Sequence, residues 1–292
     1  MTFLDSVNIL REFNKILSTR EDELLKILQA LDVENLKNIQ DFVESLSYKN
    51  GVVDLVEDPT DQLLSLKRTL KNNYNNPDIQ SAIRQYIDDI PGLLYQYTRS
   101  ASLINGLRTG EVYNEKLAEY YVSKLEDSFG ADAYSKDLVQ PLTDTYRKLL
   151  NEGASLKRIR TELVTSGGKV AAYSKTIVLD GNRSMIGEAN NEIADKYQLD
   201  GFIYEGGLVK HSRGLCVKLV DLRRPIGLLE IDLFLKDDTL HDGLIAGTNK
   251  SNFIQRVGGY GCRHHATPVR LTNKNKAAIN LYWGRELYKV AA

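Results

Sequence analysis

A chain of 292 residues, 42% hydrophobic and 26% charged, has ordinary globular composition and room for one large domain or two smaller ones. No run approaches the roughly 18 apolar residues of a membrane span, the start shows no basic segment leading into the apolar block of a secretory leader, and two cysteines exclude a disulfide scaffold and suit a reducing cytosol. The net charge of −1 conceals an asymmetry, because residues from 201 onward carry 14 Lys+Arg against 8 Asp+Glu and leave an acidic front. A basic back could face nucleic acid, although solvated charge is its commoner meaning.

The first half reads as successive helices. Leu4, Val7, Leu10, Phe13 and Leu17 recur at three- and four-residue steps, which puts them on one helical face. Ser18 three residues before Glu21 has capping-box spacing and predicts a second helix start, and Val33, Leu36, Ile39, Phe42 or Val43, and Leu46 make a third stripe. Gly51 and Pro59 break the pattern. Further helices are expected over 60–72, 77–90, 114–128 and 134–151, with no fixed repeat.

A long helix is predicted over 169–197, where Gly181 and Gly187 suggest a close crossing. After Asp200 the texture changes. Residues 201–210 alternate aromatic and β-branched residues and stop at Gly206 and Gly207, as a strand and turn would. A helical stretch is expected near 226–236, then a loop over 237–252. Short strands are expected at 252–257 and 265–272 around a glycine turn, and a last helix should carry Leu281, Trp283, Leu287 and Tyr288. The fold class is therefore α+β: a helical region over 1–153, then a small domain with short strands and Gly-rich loops over 154–292.

Several familiar motifs fail on inspection. Residues 165–169 hint at a phosphate loop, but Val170 stands where Ser or Thr should bind magnesium. Residues 258–261 lack the third glycine of a dinucleotide fingerprint, and neither a nucleophile elbow nor an H-E-x-x-H pair occurs. The acidic pairs Asp88–Asp89 and Asp237–Asp238 read as solvated helix ends.

One distribution stands out. Both cysteines, Cys216 and Cys262, and all four histidines, His211, His241, His264 and His265, fall between 211 and 265. If the chain is extended from 262, Cys262 and His264 project to one face and Arg263 and His265 to the other. A metal reading selects Cys216, Cys262 and His264, with His211 or His241 as a fourth ligand, and zinc would accept such a set. Against it, 45 residues lie between the two cysteines, whereas structural zinc ligands usually come in close pairs. The alternatives are cysteines packed as small hydrophobes, a Cys216–Cys262 disulfide under oxidising conditions, and a Cys–His nucleophile without a third orienting residue. Gly258, Gly259 and Gly261 around Tyr260 would make a tight turn that presents Cys262. Gly247, Thr248 and Asn249 form a second turn whose side chains can bond local backbone. Arg213, Arg256 and Arg263 could tie these loops together.

Taken together, Ser212, Arg213, Cys216, Gly247, Thr248, Asn249, Gly258, Gly259, Tyr260, Cys262, Arg263, His264, Pro268 and Val269 make a run that resembles the C-terminal domain of the phage head morphogenesis family, the Mu protein F-like minor head proteins. The resemblance covers roughly 155–272, and the helices before it carry no motif of the family. Members often have an aromatic before the first cysteine, where this chain has Gly214 and Leu215, and a glutamine where it has His265.

The resemblance implies a structural virion component of a tailed phage rather than an enzyme. It would be assembled in the host cytoplasm and reside in the head interior or portal region, acting in head assembly or DNA packaging. Its implied partners are portal and capsid proteins, other copies of itself and packaged double-stranded DNA, with no membrane; the helical front would dock. The rival expectation is a metal-dependent hydrolase or nuclease using the Cys/His cluster. A carried toxin is a third, but the residues after the motif are too few for an added domain of ordinary size.

Overall fold

The computed structural model describes residues 2–50, 52–53, 60–167, 170–208, 210, 212–259, 262–274 and 276–277. In chain order, helix α1 (Phe3–Ser45) precedes the short strands β1 (Tyr48–Lys49) and β2 (Val52–Val53). Helices α2 (Thr60–Tyr74), α3 (Pro77–Asn105), α4 (Thr109–Val112), α5 (Glu115–Ser128) and α6 (Ala131–Tyr134) follow. A π-helical segment (Ser135–Val139) then leads into α7 (Gln140–Asn151), α8 (Leu156–Gly167) and α9 (Val170–Tyr197). The remainder is β3 (Gly201–Glu205), α10 (Gly214–Asp221), β4 (Ile226–Gly227), α11 (Ile231–Lys236), α12 (Phe253–Arg256) and β5 (His265–Val269), with short 3-10 turns between. The chain is mostly helical with a few short antiparallel strands, as an α+β reading requires.

The helices run longer than the sequence stripes suggest. Ser18 does not start a helix: positions 3–45 contain neither Gly nor Pro, so nothing breaks α1 there, and Glu21 is buried. Helix α3 likewise passes its expected end at Ile90 and runs through Pro91. The missing N–H at Pro91 removes one backbone bond, but Leu93, Leu94, Tyr97 and Ala101 beyond it are buried and hold the helix on course. Asp88 and Asp89 therefore lie inside α3 rather than at its end, and Asp89 pairs with Arg20 at 3.2 Å. The segment expected as a strand at 252–257 is instead α12. Gly51, Pro59, Gly261 and the expected last helix lie outside the described residues.

The chain divides into two compact units. One comprises 20–89 and 122–177, and the other comprises 1–19, 90–121 and 178–292. The first is helical apart from β1 and β2, which pair antiparallel. Its core includes Leu28, Ile39, Val43, Leu70, Tyr146, Leu149 and Leu163, with Tyr74 stacked on Tyr134 at 3.9 Å. A buried polar chain runs through it, in which Asn73 donates to Asn35 (3.1 Å) and Asn35 to the Tyr134 hydroxyl (3.0 Å).

The second unit holds a three-stranded antiparallel sheet in the order β4-β3-β5. Phe202 pairs with Ile226 on one side and Pro268 on the other, and Tyr204 pairs with Ala266. All residues of β3 and β5 are buried, so both faces are covered. The face with Phe202, Tyr204 and Ala266 joins a core of Leu215, Leu219, Ile231, Phe234 and Phe253. The opposite face meets α1 and α3: Thr267 bonds the Tyr97 hydroxyl, and Glu205 pairs with Arg11 at 3.6 Å. At the β4 end, Glu230 is fully buried, accepts from Gly227 N–H at 2.7 Å and binds Arg224 through both oxygens.

Candidate metal centre

Alternation along β3 points Tyr204 to the same side as Phe202, into the second unit's core, so its phenol is buried. Helix α10 supplies Cys216 from its first turn, and the segment 262–264 entering β5 supplies Cys262 and His264. The ligand atoms of Cys216, Cys262 and His264 all lie within 4.8 Å of one another. The two sulfurs are 3.8 Å apart as free thiols, and Cys262 Sγ is 3.2 Å from His264 Nδ1. Tyr204 Oη lies 3.3 Å from Cys216 Sγ and 3.9 Å from Cys262 Sγ, and its ring stacks on His264 with planes 3° apart.

Arg213 and two glycines hold this arrangement. Arg213, immediately before α10, donates to the carbonyl of Gly258 and lies against Gly259. Gly258 and Gly259 have φ of 98° and 74°, and a Cβ on Gly258 would sit 2.6 Å from Cys262 Sγ. Only glycine allows that backbone and that approach. The second expected turn also forms. The Thr248 hydroxyl donates to Ile245 C=O (2.6 Å), Asn249 Oδ1 accepts from Ser251 N–H (3.0 Å), and Asn252 Oδ1 accepts from Asn249 N–H (2.8 Å). Arg256 closes it by donating to Ala246 C=O at 3.2 Å. These bonds start α12, whose Phe253 packs against Phe202 and Phe234.

The electrostatics divide the two thiols. Cys262 is held well below its ordinary value, to about 3, by the hydrogen bond with Cys216 and by His264, against the opposing effect of burial. Cys216 is pushed up by the same bond and by burial. Burial also pushes Tyr204 well up, leaving a neutral phenol that can donate to a thiolate. On the other face of the strand, burial holds His265 down, at about 4.

Cys216, Cys262 and His264 thus lie together despite the sequence separation of the two cysteines, and residues 262–264 precede the strand proper. Arg213, Gly258 and Gly259 serve as their frame, while Arg263 is exposed and Ser212 half-buried. Gly247, Thr248 and Asn249 form the turn before α12. His211 and Tyr260 lie outside the described residues, as does the side chain of His241. Sequence reasoning missed Tyr204, although its place two residues after Phe202 in an alternating strand was the available signal. It missed α10 as well.

Comparison with protein-family models, curated proteins and solved structures found no match. A cleft of about 370 Å³ in the same unit is lined by Glu111, Asn114, Glu192 and Lys196 among others, and contains no cysteine or histidine.

Proposed function

We propose that this chain is a structural minor head protein of a tailed bacteriophage, acting in head assembly or DNA packaging at or near the portal. The reading rests on the motif residues that resemble the Mu protein F-like family. One observation favours a bracing role over a catalytic one: Cys216, Cys262, His264 and Tyr204 are each 7% exposed or less. A nuclease or hydrolase must bring a polymer or a peptide to its reacting atoms, and a cluster enclosed in the core offers no approach for one. The same side chains tie α10, the glycine turn and the entry to β5 to one another, which suits a loop-built module that must survive packing into a particle.

Docking to the portal or to other copies is assigned to the mostly helical unit of 20–89 and 122–177, where Val33 and Leu64 are exposed apolar side chains. The basic C-terminal part would tolerate packaged DNA. Mass spectrometry of purified particles tests the assignment, with the chain expected in the virion beside portal and capsid proteins. Particles that form and package DNA without it would overturn the reading. So would nuclease activity in the purified protein that disappears in a folded Cys262→Ser, His264→Ala variant.

A further inference from the structure

We propose that Cys216, Cys262 and His264 bind one zinc ion, through two thiolates and a neutral imidazole. Three observations carry this. First, two sulfurs bound to one tetrahedral zinc at about 2.3 Å must stand about 3.8 Å apart, and Cys216 and Cys262 are separated by 3.8 Å. The corresponding sulfur-to-nitrogen edge is about 3.6 Å; Cys262 Sγ and His264 Nδ1, at 3.2 Å, need only open slightly. Second, charge balances. A divalent cation with two thiolates and a neutral imidazole is a neutral unit, the form in which ionised groups tolerate a buried position. Third, His264 is buried with its ring stacked on Tyr204, which presents Nδ1 to the sulfurs with no contact there stronger than the one to Cys262. A metal–nitrogen bond there supplies what the weak thiol contact does not.

Tyr204 completes the site as a positioning residue. Its hydroxyl at 3.3 Å from Cys216 Sγ donates to the bound thiolate, the outer-shell bond that orients a metal ligand. Binding requires both sulfurs as thiolates, so the proton that Cys216 still holds passes to solvent as the zinc ion is taken up. This inference stands apart from the virion assignment, since metal content can be measured whether or not the chain is packaged.

The test uses the full chain, reduced, dialysed against zinc and freed of excess. Elemental analysis should find about one zinc per chain. Cobalt in place of zinc should give the thiolate-to-metal charge-transfer band of a sulfur-ligated site. Cys216→Ser, Cys262→Ser and His264→Ala should each weaken zinc binding at least tenfold. Tyr204→Phe, which keeps every ligand, should weaken it about tenfold while the cobalt band persists. Because the cysteine variants could unfold, the wild-type measurements decide. Reduced folded protein holding less than about a tenth of an equivalent of zinc overturns the proposal. So does a Cys216–Cys262 disulfide that persists in reductant, or stoichiometric zinc retained by the Cys216→Ser, Cys262→Ser, His264→Ala variant.

Discussion

Tyr97 is fully buried, and its hydroxyl lies between Asn190 Oδ1 and Thr267 Oγ1, the latter at 2.9 Å. Tyr97→Phe keeps the ring against Phe13 but strands two buried polar groups, so it should cost about 1–3 kcal/mol, seen as a lowered thermal midpoint. An unchanged midpoint would mean that the bonds are not maintained in solution. Gly187 is constrained from the opposite direction. A Cβ there would stand 2.7 Å from the carbonyl oxygen of Gln255, whose position Arg183 also fixes by donating to that oxygen at 3.2 Å. Gly187→Ala forces α9 and α12 apart and should destabilise by about 1–3 kcal/mol, although alanine is the better helix former. Asp200 ties the end of the sheet by accepting from Leu271 N–H (2.7 Å) and pairing with Lys276 (2.7 Å). Burial opposes its ionisation, yet these partners hold its carboxyl below the ordinary value. Such a lowered group stabilises the fold above the unfolded value and loses that contribution as pH falls through the folded one. The site is partly exposed, so Asp200→Asn should cost only about 0.5–1 kcal/mol at neutral pH, and the gap to wild type should close under acid. A gap that is constant from pH 7 down to 3 would exclude this account.

At the scale of elements, strand β5 has β3 on one side and, among the described residues, no strand on the other. Asn105, the last residue of α3, fills that edge: its amide donates to Pro268 C=O (2.9 Å) and its oxygen accepts from Arg270 N–H (3.0 Å). One side-chain amide thus stands in for a peptide of a missing strand. Pro268 is tolerated because its backbone groups face this side, where β3 requires no donor. Asn105→Ala should cost about 1–2 kcal/mol and speed hydrogen exchange at the Arg270 amide; exchange no faster than wild type would count against the role. This pairing was not legible in the sequence, because Asn105 and Arg270 are linked only by the fold. Strand β3 was legible, since its alternation and its stop at Gly206 are local signals. The segment 252–257 misled because Phe253, Ile254 and Val257 are β-formers at a spacing that also fits one helical turn. Asn249 caps the 3-10 turn at Lys250–Asn252, which runs directly into Phe253–Arg256 and sets that segment winding as a helix. Cys216, Cys262 and His264 could be picked out by composition alone, whereas their common anchor Tyr204 needed the strand register.

Over the whole molecule, a change in texture near residue 153 does not mark where one compact unit stops. The unit carrying the cysteines also takes in residues 1–19 and 90–121. Those stretches cover one face of the sheet: Arg11 pairs with Glu205, and Tyr97 reaches Thr267. A fragment of residues 154–292 would expose Ile203, Glu205, His265 and Thr267, all buried in the intact chain, and leave Asn190 without the Tyr97 hydroxyl. Unsatisfied polar groups and uncovered apolar surface on a sheet of three short strands outweigh what the remaining core supplies. The fragment should therefore lack a cooperative thermal transition and be cut rapidly by protease under conditions that spare the full chain. A fragment that melts cooperatively near the midpoint of the whole protein would show that the first helices are dispensable to the sheet. The same interleaving determines how the proposed portal docking must be probed, because deleting the helical front would unfold the motif-bearing unit and abolish any binding for the wrong reason. Val33→Glu with Leu64→Glu changes only exposed side chains of the mostly helical unit, so the fold should be kept while co-purification with the portal falls several-fold. Full portal binding by that folded variant would overturn the proposal that this unit docks, and no co-purification by the wild type would overturn the proposed partner itself.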